Sequence, residues 1–280
     1  MTTDLILQGS ALPSFLLDKL IQTTGAAHVN VEGMQRIRLK DGKRTPEFLA
    51  LIPLLEGERL NWGFIPSGRR LADYRLIAFD MDSTLITIEC IDELADFAGQ
   101  KEAVAAVTEA AMQGEIDYTE SLSRRLALLA GLDARTLAEV YKERLKLSPG
   151  ARELLLACQN AGMRSAILSG GFTYFTERLR IELGFDFATS NELEIAGGKI
   201  TGKVVGAIID AQAKATHLDR LKAELGIDTL DTIAIGDGAN DLLMMARAGL
   251  SVAFHAKPAI RAKADIAINQ GGLDSLLHLL

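Results

Sequence analysis

The chain has 280 residues, 48% of them hydrophobic, which is enough to bury one large domain or two smaller ones. Its formal net charge of −7 argues against nucleic acid or an anionic membrane surface as a partner. The sequence has no apolar run near the roughly 18 residues of a membrane span, and its first residues, with Asp4 and no basic cluster, are not expected to form a signal peptide. The only two cysteines, Cys90 and Cys158, lack CxxC spacing and favour a reduced, cytoplasmic protein, although a disulfide stays open.

The first 70 residues mix short strand and helix patterns. Their periodicity indicates extended segments at 5–8, 28–32 and 36–39, and helices at 15–22 and 46–51. We therefore expect residues 1–70 to form a small α+β domain. The segment GERLNWGFIPSGRRLADY (57–74) contains Pro66 and Gly68, and it is interpreted as a connector in which Arg69 and Arg70 are solvated.

Continuous apolar runs of strand length recur from residue 76 onward. They are LIAF (76–79), SAIL (165–168), TIAI (232–235), LSVAF (250–254) and DIAI (265–268). Runs without polar alternation are typical of parallel strands that are covered on both faces, and helical patterns separate them. The alternation predicts a doubly wound α/β fold with a parallel, Rossmann-like sheet.

One stretch breaks this alternation. Residues 91–147 contain only helical periodicities, so we expect a helical cap inserted after the first strand of the sheet. In such sheets ligands bind beyond the carboxyl ends of the strands, and a cap placed there would cover them.

Polar residues follow three of the predicted strands, where parallel strands end on the same side. They are Asp80 and Asp82, then the turn Ser169-Gly170-Gly171, and then the segment GDGAND (236–241). Each alone is explained by a helix cap or a turn, but the three together point to one site. Several carboxylates with glycine backbone suit Mg²⁺ and a phosphate group.

Two glycine-rich segments come close to nucleotide-binding motifs without completing them. GDGAND places Asp241 where the dinucleotide fingerprint has its third glycine. GGKITGK (197–203) is followed by Val204 instead of Ser or Thr, and its flanks favour a hairpin about a Gly-Gly turn.

The motifs DMDST, Ser169-Gly170, Lys214 and GDGAND resemble those of the haloacid dehalogenase (HAD) superfamily of aspartate-nucleophile phosphotransferases. Over about 74–280 the chain most resembles its phosphoserine phosphatase branch. The resemblance implies a HAD-like core at 71–90 and 148–280, with the cap at 91–147. The first 70 residues loosely resemble the N-terminal extension of bacterial forms, which is often related to the ACT amino-acid-binding fold.

The resemblance also implies roles for the residues. Asp80 would be the nucleophile that forms an aspartyl-phosphate, and Asp82 the general acid and base. Mg²⁺ would be held by Asp80, Asp237 and the backbone carbonyl of Asp82, with Asp241 supporting them. The phosphoryl group would contact Ser169, Gly170, Lys214 and Asn240. Glu89 would pair with the ammonium of phosphoserine and Arg125 with its carboxylate.

Two other functions stay open at this point. The phosphoryl group could pass from Asp80 to another alcohol, such as homoserine, instead of to water. Alternatively, residues 1–70 could bind an amino acid in a serine-sensing regulatory protein. The expected partner is a small molecule, with no nucleic acid and no membrane, and the oligomeric state stays open.

Overall fold

The computed structural model describes residues 2–9, 12–32 and 35–280. Its strands are β1 (Thr3–Gln8), β2 (His28–Val31), β3 (Arg36–Lys40), β4 (Asn61–Pro66), β5 (Leu76–Phe79), β6 (Arg164–Phe172), β7 (Phe187–Ala196), β8 (Lys199–Val205), β9 (Thr232–Gly236), β10 (Leu250–Phe254) and β11 (Ile266–Ile268). All five apolar runs predicted as strands from residue 76 onward form strands, with only Asp265 left outside β11, which confirms the α/β class.

The helices alternate with these strands through most of the chain. They are α1 (Ser14–Thr24), α2 (Pro46–Leu49), α3 (Ile52–Gly57), α4 (Cys90–Phe97), α5 (Lys101–Met112), α6 (Tyr118–Ala127), α7 (Thr136–Glu143), α8 (Ala151–Asn160), α9 (Thr173–Leu183), α10 (Ala211–Leu225), α11 (Leu242–Met245), α12 (Pro258–Arg261) and α13 (Ser275–Leu279). Among the described residues, none of these helices is both long and apolar enough to cross a membrane.

The chain divides into two compact units. The first comprises Met1–Ala78, Pro149–Ser165 and Lys222–Leu280, and the second comprises Phe79–Ser148 and Ala166–Leu221. The two cysteines are free and buried, Cys158 in the first unit and Cys90 in the second.

The strands of the first unit lie in the order β2-β3-β1-β4-β11-β10-β9-β5. The N-terminal strands pair antiparallel with one another, whereas β10 pairs parallel with both β9 and β11. The antiparallel pairing of β4 with β11 joins the two groups of strands, with Gly63 opposite Ile266 and Trp62 opposite Ala267. The N-terminal strands therefore extend the same sheet as β9, β10 and β11.

The sequence interpretation of residues 57–74 as a connector is wrong at its centre. Residues 61–66 form β4, a strand buried along nearly its whole length. Trp62 and Phe64 pack edge-on against Phe48, and Gly63 leaves room for Ile266, whose Cγ1 would lie 2.8 Å from an added Cβ. Glycine and proline in the segment suggested a loop, but burial on both faces of the strand outweighs their low strand propensity.

Of the basic pair after β4, Arg70 is exposed as predicted, whereas Arg69 differs from its interpretation as solvated. The Arg69 guanidinium lies 2.5 Å from the Asp231 carboxylate and stacks over the ring of Tyr74. Only 17% of the Arg69 side chain is exposed, so this residue packs against the first unit.

The second unit contains the four helices α4–α7 and the hairpin β7–β8. The helices confirm the all-helical character expected between residues 91 and 147. The polypeptide enters and leaves this helical segment side by side: Thr87 donates to the carbonyl of Lys146, and Ser148 donates to the carbonyl of Leu85.

The hairpin turns at Gly197-Gly198, as the sequence predicts, with both glycines at positive φ. Helix α6 packs closely on β8 at Gly202, where an added Cβ would lie 2.9 Å from the Leu126 carbonyl oxygen. The loop after α6 is also bonded to β8, because Gly131 donates to the carbonyl of Ile200. The helical segment and the hairpin thus form one packed body.

Candidate active site

The segment that follows β5 turns sharply within a few residues. Asp80 is extended, with φ −67° and ψ 159°, and Ser83 adopts a left-handed conformation with φ +56°. The Ile86 N–H then closes the turn on the Met81 carbonyl at 3.0 Å. A non-glycine residue at positive φ is uncommon and marks a locally strained turn.

Asp80 forms a buried ion pair with Lys214. The Lys214 Nζ lies 2.6 Å from Asp80 Oδ1, and the two side chains are 1% and 6% exposed. Lys214 is in the first turns of α10, and Asp210 caps this helix by accepting from the Ala213 N–H at 2.8 Å. The structure thus brings together the two residues predicted as nucleophile and phosphate-binding cation.

Asp82 is held by backbone on one side and packs against glycine on the other. Its Oδ1 accepts from the Cys90 N–H at 3.1 Å, at the start of α4. This bond fixes the position of the Asp82 carboxyl group at the start of the helix. Its Oδ2 would lie 2.7 Å from a Cβ added to Gly171, so a side chain at residue 171 would displace the Asp82 carboxyl group.

Ser169 and Gly170 lie inside β6, although the sequence predicts a turn there. β6 continues to Phe172 and pairs with β7 through an irregularity between Leu168 and Phe172. The Gly171 N–H donates to Ser169 Oγ at 2.9 Å, and Ser169 is 1% exposed. Glycines and a register shift let a strand turn its polar groups towards a ligand.

Two side chains that the sequence analysis did not place in the site bond to the Gly170 carbonyl. Asn191 Nδ2 donates to it at 2.7 Å, and the Tyr118 hydroxyl donates at 3.3 Å. A Cβ on Gly170 would lie 2.2 Å from that hydroxyl, so residue 170 has to be glycine. Burial raises the pKa of Tyr118 to about 12, so the phenol keeps its proton.

Glu89, one of the two predicted specificity residues, lies near Asp82 and Ser83. Glu89 Oε1 accepts from the Ser83 hydroxyl at 2.6 Å. Glu89 is exposed at the surface, yet desolvation by the protein atoms around it, together with the charge of Asp82, raises its pKa to about 7. The positive charge of Arg125 acts to lower the pKa of both Glu89 and Asp92, so the guanidinium lies close enough to interact with both carboxyl groups. An ammonium ligand would favour the ionised form of Glu89.

The first unit holds the other predicted residues, Asp237, Asn240 and Asp241. The buried Asp241 carboxylate accepts from the Asp237 N–H at 3.2 Å and the Gly238 N–H at 3.0 Å. Gly236 has to be glycine because an added Cβ would lie 2.4 Å from Asp241 Cβ. Asp241 therefore fixes the backbone that carries Asp237.

Asp80 in the second unit, and Asp237 and Asp241 in the first, each offer a carboxylate oxygen that could serve as a metal ligand. Asp80 is 4% exposed and Asp241 is fully buried, and burial of several carboxylates is costly without a cation. Their oxygens are hard ligands, which suit ions such as Mg²⁺. The residues present therefore fit a divalent cation.

Comparison with known proteins identifies relatives of this chain. The family model described as haloacid dehalogenase-like hydrolase matches residues 77–246. The chain is 56% identical over 216 residues to the phosphoserine phosphatase of Polaromonas sp., covering 75% of this chain and 92% of that protein.

Solved structures agree with this comparison. A HAD family hydrolase from Salmonella enterica serovar Typhi superposes with a TM-score of 0.86 at 33% identity, covering 99% of this chain and 98% of that chain. A substrate-bound phosphoserine phosphatase complex superposes with a TM-score of 0.70 at 39% identity, covering 74% of this chain and 98% of that one.

The buried ion pair gives a prediction about stability. Lys214→Met removes the cation beside the buried Asp80 carboxylate and should lower the free energy of unfolding by about 3 kcal/mol, because breaking a buried pair leaves a charge poorly compensated. Adding Asp80→Asn should recover at least about 1 kcal/mol of that loss, since the carboxylate is then neutral. Urea unfolding of the wild type, both single variants and the double variant measures this coupling; additive effects would contradict it.

Proposed function

The chain belongs to the haloacid dehalogenase-like hydrolase family, and we propose that it hydrolyses O-phosphoserine to serine and inorganic phosphate. The observation that carries the proposal is the buried Asp80 carboxylate, held 2.6 Å from Lys214 Nζ directly after β5. The substrate comes from the similarity to phosphoserine phosphatases.

In the first half of the proposed reaction an oxygen of Asp80 attacks the phosphorus atom. The bond between phosphorus and the serine oxygen breaks, and Asp82 gives that oxygen a proton. Serine leaves, and the phosphoryl group stays on Asp80 as an aspartyl-phosphate. The hydrogen bond from the Cys90 N–H and the close packing of Asp82 against Gly171 support this role, because they restrict where the Asp82 carboxyl group can lie.

In the second half Asp82, now ionised, takes a proton from a water molecule. The water oxygen bonds to phosphorus as the bond from phosphorus to Asp80 breaks. Inorganic phosphate leaves, and Asp80 is again a carboxylate while Asp82 is again protonated. One residue thus serves first as acid and then as base.

We propose that Ser169, the Gly170 N–H, Lys214 and Asn240 bind the phosphoryl oxygens. Lys214 supplies a fixed positive charge beside Asp80, and such preorganised charge is more effective in a site that excludes water. The Ser169 hydroxyl accepts from the Gly171 N–H, which leaves its own proton for a phosphoryl oxygen.

We propose Mg²⁺ as the metal, held by Asp80, Asp237 and the backbone carbonyl of Asp82. When bound, it would offset negative charge on the phosphoryl group and Asp80, so that an anion can approach an anion. Asp241 supports the set by fixing the backbone of Asp237 and Gly238.

We propose that residues 91–147 act as a cap over the core at 71–90 and 148–280, and that Glu89 and Arg125 recognise the amino acid. Phosphoserine carries an ammonium and a carboxylate on one carbon, and these match Glu89 and Arg125 in charge. Cytoplasmic location belongs to the same proposal, because both cysteines are reduced.

The nucleophile is tested by Asp80→Asn, which keeps the size of the side chain and removes its charge. Phosphate release should vanish, and beryllofluoride should no longer form a stable complex, because both need the Asp80 carboxylate. The assay is colorimetric phosphate release, with circular dichroism to confirm folding. Substantial activity in freshly purified, undeamidated variant would contradict the proposed mechanism.

The metal is tested by its removal. EDTA, or Asp237→Asn, should lower turnover at least about a hundredfold, since charge stabilisation by a metal is worth several kcal/mol. Mg²⁺ should restore activity to the EDTA-treated wild type, and Ca²⁺ should not, because its larger coordination shell spoils the approach of the reacting atoms. Full activity in EDTA would contradict the assignment of a catalytic metal.

The substrate is tested by Arg125→Ala, with phosphoserine and an aryl phosphate assayed side by side. The charge-assisted pair with the carboxylate is worth roughly 1.5–3 kcal/mol, so kcat/KM for phosphoserine should fall at least about tenfold. The aryl phosphate has no carboxylate, so its turnover should fall much less.

Arg124→Ala is the matched control for this substitution. Arg124 is the adjacent residue on α6, half-exposed and paired with Glu120 one turn earlier. Its removal should leave both substrates nearly unaffected. If Arg125→Ala lowers kcat/KM equally for both substrates, the phosphatase chemistry stands and the assignment of phosphoserine recognition to Arg125 fails.

A further inference from the structure

Asn191 is a buried polar residue in the interior of a strand. It lies on β7, is 2% exposed, and precedes residues that alternate between buried and exposed along the hairpin. Asparagine is depleted in strands, and a buried side-chain amide needs hydrogen-bond partners to offset its desolvation. The steps of the proposed reaction do not use this residue.

Both ends of the Asn191 amide bond to backbone, and the two partners belong to different segments. Nδ2 donates to the Gly170 carbonyl at 2.7 Å, and Oδ1 accepts from the Ile209 N–H at 2.8 Å. The first partner lies on β6 and the second just before α10. One side chain therefore bridges the phosphate-binding part of β6 and the start of the helix that carries Lys214.

The bond to Gly170 determines the direction of the next N–H group. The Gly170 carbonyl and the Gly171 N–H belong to one planar peptide, so fixing the oxygen also fixes the N–H. That N–H donates to Ser169 Oγ at 2.9 Å. A serine oxygen that accepts a bond in this way has its proton left for another acceptor.

The bond to Ile209 fixes the start of α10. The next residue, Asp210, caps the helix through its side chain, which accepts from the Ala213 N–H at 2.8 Å. Its backbone carbonyl accepts from the Lys214 N–H at 3.0 Å. The position of Lys214 relative to Asp80 therefore depends on the same short segment that Asn191 holds.

We propose that Asn191 is a positioning residue that sets the spacing between the Ser169–Gly170 phosphate-binding strand and Lys214. The inference rests on the proposed function. Asn191 acts on the groups that hold the phosphoryl moiety and not on those assigned to the amino acid. Its loss should lower the rate of hydrolysis of every phosphate ester by the same factor, since small misplacements of positioning groups have large effects on rate.

The experiment compares Asn191→Ala and Asn191→Asp with the wild type. Asn191→Asp keeps an acceptor for the Ile209 N–H and loses the donor to the Gly170 carbonyl. We expect kcat to fall at least about tenfold in both, by the same factor for phosphoserine and for an aryl phosphate. The affinity for inorganic phosphate with Mg²⁺ present, measured by calorimetry, should also fall at least about tenfold.

Asn269→Ala is the matched control. Asn269 is also buried and also bonds at both ends of its amide, to the Leu60 carbonyl and from Arg261, but it belongs to the first unit and has no assigned part in the reaction. We expect it to lower the melting temperature while leaving kcat and phosphate affinity unchanged. A purely structural role for Asn191 would give the same pattern in its variants.

Each outcome decides the inference. Normal kcat and phosphate affinity in folded Asn191→Ala protein would overturn it, and if that variant does not fold, the same two measurements on Asn191→Asp decide. A loss confined to phosphoserine would also overturn it. If the wild type releases no phosphate from phosphoserine, but the Asn191 variants bind inorganic phosphate more weakly than the wild type, the proposed function fails and the positioning role stands.

Discussion

The buried ion pair between Asp80 and Lys214 is the interaction on which the rest of the site depends. Each charge lies in a part of the protein that water hardly reaches, and neither would be stable there without compensation. The pair constrains the chain in two places, after β5 and in the first turns of α10. The elements between them must place Lys Nζ and Asp Oδ1 at 2.6 Å, and the Asp210 cap and the Asn191 amide help to do so.

Side chains packed near this pair leave little room for anything larger than glycine at residues 170 and 171. Gly170 lies against the Tyr118 hydroxyl, and Gly171 lies against Met81 and Asp82. Neither requirement comes from a positive φ. Both come from side chains that lie close to the glycine Cα atoms. The residues allowed at the end of β6 therefore depend on what packs against it, including Tyr118 of helix α6.

Several of the residues described in the candidate site could be picked out from the sequence because they stand in short motifs at strand ends. Asp80 and Asp82 follow a buried strand, and Lys214 and Asp241 fall in recognisable segments. Asn191 escaped prediction because its partners, Gly170 and Ile209, are backbone groups that are 21 and 18 residues away in the chain. The signal that was present is an asparagine within a strand-forming segment, since strands rarely contain one without a reason.

The fold was predictable to a similar degree and for similar reasons. Continuous apolar runs identify parallel strands, and the helical segment of 91–147 is unambiguous. Strand β4 was not identified because Gly63 and Pro66 weaken its local signal. Its formation depends on β1 and β11 on either side, and the pairing with β11, across more than two hundred residues, is not encoded in any local pattern.

The antiparallel pairing of β4 with β11 has a consequence for any shortened form of the chain. Without β4, one edge of β11 would expose backbone N–H and C=O groups to solvent. The side chain of Ile266, which packs against Gly63, would also lose its cover. Unprotected sheet margins recruit other chains, so removal of the N-terminal strands would favour self-association and poor solubility even where the chemistry is intact. Strand β4 thus protects this edge of the sheet from pairing with other chains.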